Sequence, residues 1–150
     1  MESLATTEDL HRTLLCFPRQ PPFTVVLCQL DPAPAAIPVG TEALLIKSFG
    51  TSCWRLQDGR YLGVYVGHDD VRAQADALRR EVDEDRGSGL HRTLSIGVSS
   101  LRPDLGPLDL LLRAEKALAA ARQAGGNRVH VAPKHETTKS ERNRHSGRRP

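Results

Sequence analysis

Residues 93–131, TLSIGVSSLRPDLGPLDLLLRAEKALAAARQAGGNRVHV, constrain the fold more than any other part of the chain. They open on a β-type run, Thr93-Leu94-Ser95-Ile96-Gly97-Val98. A loop with Pro103, Gly106 and Pro107 follows. Leu111, Ala114, Leu118 and Ala121 then recur at spacings of 3, 4 and 3, which places one apolar stripe on one face of a helix over residues 108–124. Gly125-Gly126 supplies the left-handed stop that helix ends favour, and residues 127–131 read as one more strand. Strand, long helix, glycine stop and short strand define half of an α/β layer structure. They do not define a chemistry.

The rest of the chain supplies further strands and helices. Leu10, Leu14 and Leu15 have helical spacing, Thr6 or Thr7 is available as cap, and Glu8 and Asp9 suit the first turn. Pro18, Pro21 and Pro22 end that helix. Residues 23–30, FTVVLCQL, form a continuous apolar run of the length and β-branched content of a buried central strand. Residues 31–39, DPAPAAIPV, hold three prolines that exclude a helix through them. Leu44, Leu45 and Phe49 give the next helix a short apolar face, with Gly50 as its stop. Residues 52–57 and 60–66 flank Asp58-Gly59, a strong hairpin signal, and Trp54, Leu56, Val64 and Val66 alternate along the two arms. The turn is expected to be exposed at the sheet edge. Residues 69–84 read as a helix capped by Asp69, with Val71, Ala75, Leu78 and Val82 as its stripe, and 86–89 as a loop. The sum is an α+β fold, an α/β sandwich: a central, mostly antiparallel five-stranded sheet covered by helices.

Composition sets the remaining bounds. At 150 residues the chain makes one domain, residues 1–132, with a tail at 133–150. No run approaches the ~20 apolar residues of a membrane span and no signal-peptide pattern opens the chain, so a cytoplasmic protein without membrane contact is expected. Cys16, Cys28 and Cys53 are odd in number and lack metal-ligand spacing, and Cys28 in its apolar strand reads as a buried free thiol. The formal net charge is +3. Residues 134–150 carry six Lys or Arg against two Asp or Glu, a net of +4, which leaves the body at −1. The tail has no apolar anchor and is expected to be disordered. It is basic but has no aromatic residue for stacking, so it offers nucleic acid at most non-specific contact. Arg outnumbers Lys, and Ala and Leu are abundant, a usage that suits a GC-rich bacterial genome.

The wording of the stretch 93–131 resembles the C-terminal half of GGDEF domains, the bacterial diguanylate cyclases, which carry S-I-G-V, a helix like R-A-D-x-A-L-Y-x-A-K, and G-R-N-x-V. The matching residues are Ser95-Ile96-Gly97-Val98, Arg113-Ala114-Glu115-Lys116-Ala117-Leu118 with Ala121-Arg122, and Gly125-Gly126-Asn127-Arg128-Val129. Asp9-Leu10-His11-Arg12-Thr13-Leu14 echoes the family's entry helix, and the resemblance extends over about residues 9–132. It implies a nucleotidyl-cyclase-like fold. It also implies where the chemistry would stand. The family's D-x-D strand end falls on Gln29 and Asp31. Its signature, R-Y-G-G-D/E-E-F, falls on Arg55-Leu56-Gln57-Asp58-Gly59-Arg60-Tyr61. Thr41 stands where the family has a guanine-reading Asp, and Ser48-Phe49-Gly50-Thr51 where it has the product-inhibition motif R-x-x-D. The helix that the family builds between its D-x-D strand and that Asp is missing.

The family's reaction joins two GTP molecules held on two facing subunits. It depends on divalent metal and on positioning. The metal-carboxylate positions here read Gln29 and Gly59, with Asp31 and Asp58 nearby as the remaining metal-ligand candidates. The two glycines that admit phosphate read Gln57 and Asp58. Of the two phosphate cations the first is matched in charge by Arg122, the candidate for a vestigial phosphate-binding residue, and Gly126 stands at the second. The expectation is therefore a degenerate GGDEF-like domain without catalytic residues, acting as an interaction or regulatory module in bacterial signalling through a protein partner or a homodimer. Two alternatives stay open: a non-catalytic receptor for GTP or cyclic di-GMP, and an active diguanylate cyclase with displaced ligands. No cofactor is expected, Mg²⁺ entering only with a surviving nucleotide site.

Overall fold

The computed structural model describes residues 2–4, 6–17, 22–34, 39–50, 52–67, 70–85, 91–102 and 104–133. The expected tail, the loop at 86–89 and residues 35–38 of the proline-rich segment lie outside them. In chain order the elements are β1 (Glu2–Leu4), α1 (Thr7–Leu15), β2 (Phe23–Asp31), α2 (Val39–Phe49), β3 (Cys53–Leu56), β4 (Tyr61–Val66), α3 (Val71–Glu84), β5 (Thr93–Ser100), α4 (Pro107–Gln123) and β6 (Val129–Val131). They form one sheet in the order β1-β3-β4-β2-β5-β6. The inner pairs are antiparallel, whereas β1 runs parallel to β3 and β6 parallel to β5. The architecture is the expected mostly antiparallel α+β sandwich. All five expected strands are present, and the short β1 adds a sixth, where sequence suggested only a polar lead-in.

Each face of the sheet carries its own core, because β2 is buried on both sides and alternates between them. Phe23, Val25 and Leu27 meet Leu10 and Leu14 of α1 and Leu110, Leu111, Ala114 and Leu118 of α4. Val26, Cys28 and Leu30 meet Leu45 and Phe49 of α2 and Val71, Ala75, Leu78 and Val82 of α3. Leu15 and Val66, counted above among the apolar positions, are exposed at 59% and 39%.

α4 sits close on β5 because both surfaces are small there. Ser95, Gly97 and Ser99 alternate onto the α4 face and are fully or almost fully buried, and α4 answers with the buried Ala114, Ala117 and Ala121. A Cβ placed on Gly97 would lie 2.4 Å from both the Ala114 oxygen and the Leu118 nitrogen. Glycine is needed there for approach and not for turn geometry.

The helix starts follow local rules with one correction. Thr6 caps α1 in a reciprocal capping box with Asp9, at 3.0 and 3.2 Å, an arrangement worth about 1 kcal/mol. α3 is capped by Asp70, which accepts from the Ala73 N–H at 3.1 Å, one residue beyond the expected Asp69; Asp69 itself lies outside the described residues. The Asp70 side chain satisfies the third N–H of the helix, which is where a capping carboxylate must reach.

Candidate functional site

The metal-ligand and phosphate candidates singled out by sequence, with the signature-equivalent turn, gather at one rim of the sheet, whereas Thr41, Ser48 and Phe49 lie on α2. The register pairs Cys28 with Tyr61, Gln29 with Ser95 and Asp31 with Thr93, so the end of β2, the β3–β4 turn and the start of β5 share that rim. Gln29 and Asp31 continue the alternation of Val25 and Leu27 onto the α4 face. The turn is exposed as expected, at Gln57, Asp58 and Gly59. β1 flanks β3, so the hairpin lies one strand in from the lateral edge of the sheet. Gly59 has φ +86°, which makes glycine a conformational requirement of this turn.

Arg60 organises the rim. Its N–H donates to Asp58 Oδ1 at 3.1 Å and its Nε to Asp58 Oδ2 at 2.6 Å. Its two terminal nitrogens reach Glu115 Oε1 on α4 at 3.4 and 3.5 Å. The side chain is only 22% exposed, against 53% for Asp58 and 36% for Glu115. The guanidinium thus bridges the turn to the helix above it. Tyr61, the last signature-equivalent residue, points the other way, into the core under α2 and α3, and burial raises its hydroxyl pKa.

A second pair stands beside the first. Arg122 lies 3.8 Å from Asp31 Oδ1. Gly126, at φ +71°, closes over this pair: a Cβ there would lie 3.2 Å from Ser95 Oγ and 3.5 Å from Asp31 Oδ2. The Asn127 N–H donates to the same Ser95 Oγ at 3.2 Å. The structure therefore brings Asp31 together with Arg122, and Asp58 with Arg60. It gives each of the two metal-ligand candidates a guanidinium as neighbour.

That donor set does not fit the divalent metal that the fold family implies. A hard cation such as Mg²⁺ needs carboxylate oxygens free to face it. Asp58 is held by Arg60, Asp31 faces Arg122, and Gln29 is neutral. Among the described residues no three His, Cys, Asp or Glu side chains converge in a metal-holding arrangement.

The sequence reading missed a second concavity. A groove of about 500 Å³ lies between α3 and residues 127–129, lined by Arg72, Arg79 and Arg128 with Asp70, Asp76 and Asn127. Arg79, 17% exposed, donates to Asp76 Oδ1 at 2.8 Å and to Asn127 Oδ1 at 3.0 Å. The hydrogen bond from Arg79 holds the Asp76 carboxyl below its usual range. Arg72 and Arg79 are seven residues apart, two helical turns, so they share the polar face of α3. That alignment was visible in the sequence, where it reads as an ordinary solvated face.

No family model matches the chain and no curated protein matches it. Solved structures do. The GGDEF domain of YfiN, or TpbB, from Pseudomonas aeruginosa aligns at a TM-score of 0.67 with 17% identity, over 85% of this chain and 93% of that one. The coiled coil and GGDEF domain of DgcB from Caulobacter crescentus, in complex with cyclic di-GMP, aligns at 0.63 with 17% identity, over 83% and 78%. The diguanylate cyclase SiaD from Pseudomonas aeruginosa, in complex with its activator SiaC, aligns at 0.67 with 17% identity, over 83% of this chain and 56% of that one. The fold is that of GGDEF domains. Among the described residues no helix is long and apolar enough to cross a membrane.

Proposed function

We propose that this chain is a degenerate, non-catalytic GGDEF-like domain that works by protein contact in bacterial cytoplasmic signalling. One observation carries the reading: at the signature-equivalent turn the Arg60 guanidinium spans the space between Asp58 and Glu115. A fixed cation there does the charge compensation that a divalent metal would otherwise do, without the open coordination positions that phosphoryl transfer needs. Gln29 and Gly59 at the family's two metal-carboxylate positions point the same way. Support for protein contact comes from Leu108 and Leu112, one turn apart on α4 and exposed at 45% and 46%, and by analogy from the SiaD–SiaC complex.

The test is incubation of the full chain with GTP and Mg²⁺ and chromatography of the products. No cyclic di-GMP is expected. Product from the wild-type chain that disappears in a Gln29→Ala, Asp31→Ala, Asp58→Ala variant overturns the reading. Restoring the signature alone, as Gln57→Gly, Asp58→Gly, Gly59→Asp, Arg60→Glu and Tyr61→Phe, leaves the chain inactive on this reading, because Gln29 remains.

A second reading, a non-catalytic guanine-nucleotide receptor, is favoured by the groove with Arg72, Arg79 and Arg128, since arginine suits phosphate, and by the DgcB complex with cyclic di-GMP. Calorimetry with GTP and with cyclic di-GMP decides it: heat that vanishes in Arg72→Ala with Arg79→Ala establishes the receptor.

A further inference from the structure

The sheet ends on β6, and among the described residues no strand pairs with its outer edge. The Ile96 N–H donates to the Arg128 oxygen at 3.0 Å and the Ala132 N–H to the Val98 oxygen at 2.8 Å. Residues that bond β5 alternate with residues that turn both N–H and C=O the other way, so the main chains of Val129 and Val131 face outward. Their side chains pack into the core on the α3 side, and His130 points to the α4 side.

Both faces of this edge are basic. On the α3 side lies the groove with Arg72, Arg79 and Arg128, whose two carboxylates are already engaged: Asp70 caps α3 and Asp76 holds Arg79. On the α4 side a groove of about 160 Å³ has a floor of Ala117, Ala120 and Ala132 and a rim of Arg113, Lys116 and His130. Among the described residues no carboxylate lines it. Pro133 closes this groove.

We propose that β6 is a docking edge for an acidic, extended segment of a partner protein. The segment adds as a further strand, hydrogen-bonding to the main chain of Val129 and Val131. Its side chains alternate between the two faces, so acidic positions of either parity meet cations: Lys116 over α4, Arg128 and Arg72 over α3. Main-chain bonds supply the geometry and the flanking charges select the partner. Short edge strands flanked by like charges are a common guard against pairing with another copy. Here the guard is cationic on both faces, so it rejects a second copy and admits a segment of opposite charge. This inference rests on the protein-contact reading above and adds to it a surface apart from Leu108 and Leu112, with its partner class.

The experiment uses the full chain and a fluorescein-labelled peptide of alternating threonine and glutamate, followed by anisotropy at low salt. The peptide binds, and its threonine–lysine counterpart does not. Lys116→Glu and Arg128→Glu, one in each groove, each weaken binding by about fivefold or more, as expected when a rim charge is reversed. N-methylation of alternate peptide nitrogens abolishes binding, and hydrogen exchange slows at Val129 and Val131 when the unmodified peptide is present. Undiminished binding of the N-methylated peptide overturns the proposal, since charge alone then accounts for it. So does tighter binding of a single-stranded oligonucleotide than of the peptide, and so does absence of any peptide binding. A chain that binds neither peptide nor makes cyclic di-GMP sinks this inference alone; one that binds the peptide and makes cyclic di-GMP sinks the non-catalytic reading alone.

Discussion

Replacing Gly97 by Ala tests the central packing of the fold. The added methyl would sit 2.4 Å from the Ala114 oxygen, 2.4 Å from the Leu118 nitrogen and 2.9 Å from the Leu118 Cα. All three are backbone atoms of α4, so no side chain can rotate away. Contact carbons need roughly 3.5 Å, so α4 must move outward by about 1 Å over β5. That movement loosens Ala114, Leu118 and Ala121, which are all buried against the sheet. Overpacking of this kind typically costs 1–3 kcal/mol, and a clash with rigid backbone belongs at the upper end, about 3 kcal/mol. Reduced freedom of the unfolded chain offsets about 0.4–1 kcal/mol of that cost, leaving a net loss of about 2–3 kcal/mol. For a chain of this size that lowers the melting temperature by about 4–12 °C. The control is Gly63→Ala, whose methyl would meet ring atoms of Phe49 at 2.5 Å. A ring can turn, so the expected loss is smaller, about 1–2 kcal/mol. Calorimetric melting of the two variants settles the matter: a Gly97→Ala melting point within about 2 °C of wild type, or one above that of Gly63→Ala, refutes the close-approach argument.

Three further outcomes are expected. In a double-mutant cycle with Arg60→Met and Glu115→Gln, urea unfolding gives a coupling of about 0.5–1 kcal/mol, because the bridge is partly shielded from solvent; a coupling of zero removes Arg60 as the tie between turn and helix. At about pH 8 a thiol reagent labels Cys16 alone in the folded chain and all three cysteines in urea, since Cys16 is exposed while burial pushes the Cys53 thiol up to about 12 and Cys28 well above its ordinary value. Rapid labelling of two thiols in the native chain contradicts the packing of the α2–α3 face. Asp76 has a carboxyl held below its ordinary value of 3.8 by Arg79, so its stabilising contribution is fully present above that value and is lost as pH falls through the lower folded one. The stability difference between wild type and Asp76→Asn therefore shrinks as pH drops below about 4, and a difference that grows there shows the sign to be wrong.

The fold was legible because its elements announce themselves locally. The stripe of Leu111, Ala114, Leu118 and Ala121 places α4 on the sheet, and all four are buried. The Asp58-Gly59 signal gives the β3–β4 hairpin, with Gly59 at positive φ. The capping candidates Thr6 and Asp9 meet in a capping box. β1 escaped because three polar-flanked residues carry no pattern, and it forms only by pairing with β3. The candidate site was legible in its membership and not in its wiring. Gln29, Asp31, Asp58, Arg60 and Arg122 do share one rim, but the bridge from Arg60 to Glu115 joins residues 55 apart in sequence, and only the packing of α4 over the turn creates it. The arginine groove against α3 was missed for the same reason: Arg128 comes to line one groove with Arg72 and Arg79 only after β6 takes its place beside β5.

Carboxylates that cluster to hold a metal repel one another when the metal is not there, and a chain in such a fold has two ways to relieve the strain. It can do without carboxylates, as the GGDEF resemblance implies for Gln29 and Gly59, or it can set a cation beside one, as Arg60 does for Asp58. The two routes differ in what they leave behind. Deletion alone leaves an open, neutral turn that a single substitution could recharge. Imported guanidinium groups are long, hold fixed forks of hydrogen bonds and occupy the space they neutralise. Arg60 also ties the turn to α4, so the same side chain that replaces charge replaces mobility. On the non-catalytic reading proposed above, a rim built this way is balanced within the protein itself, which leaves the charge on both faces of β6 to meet something outside it.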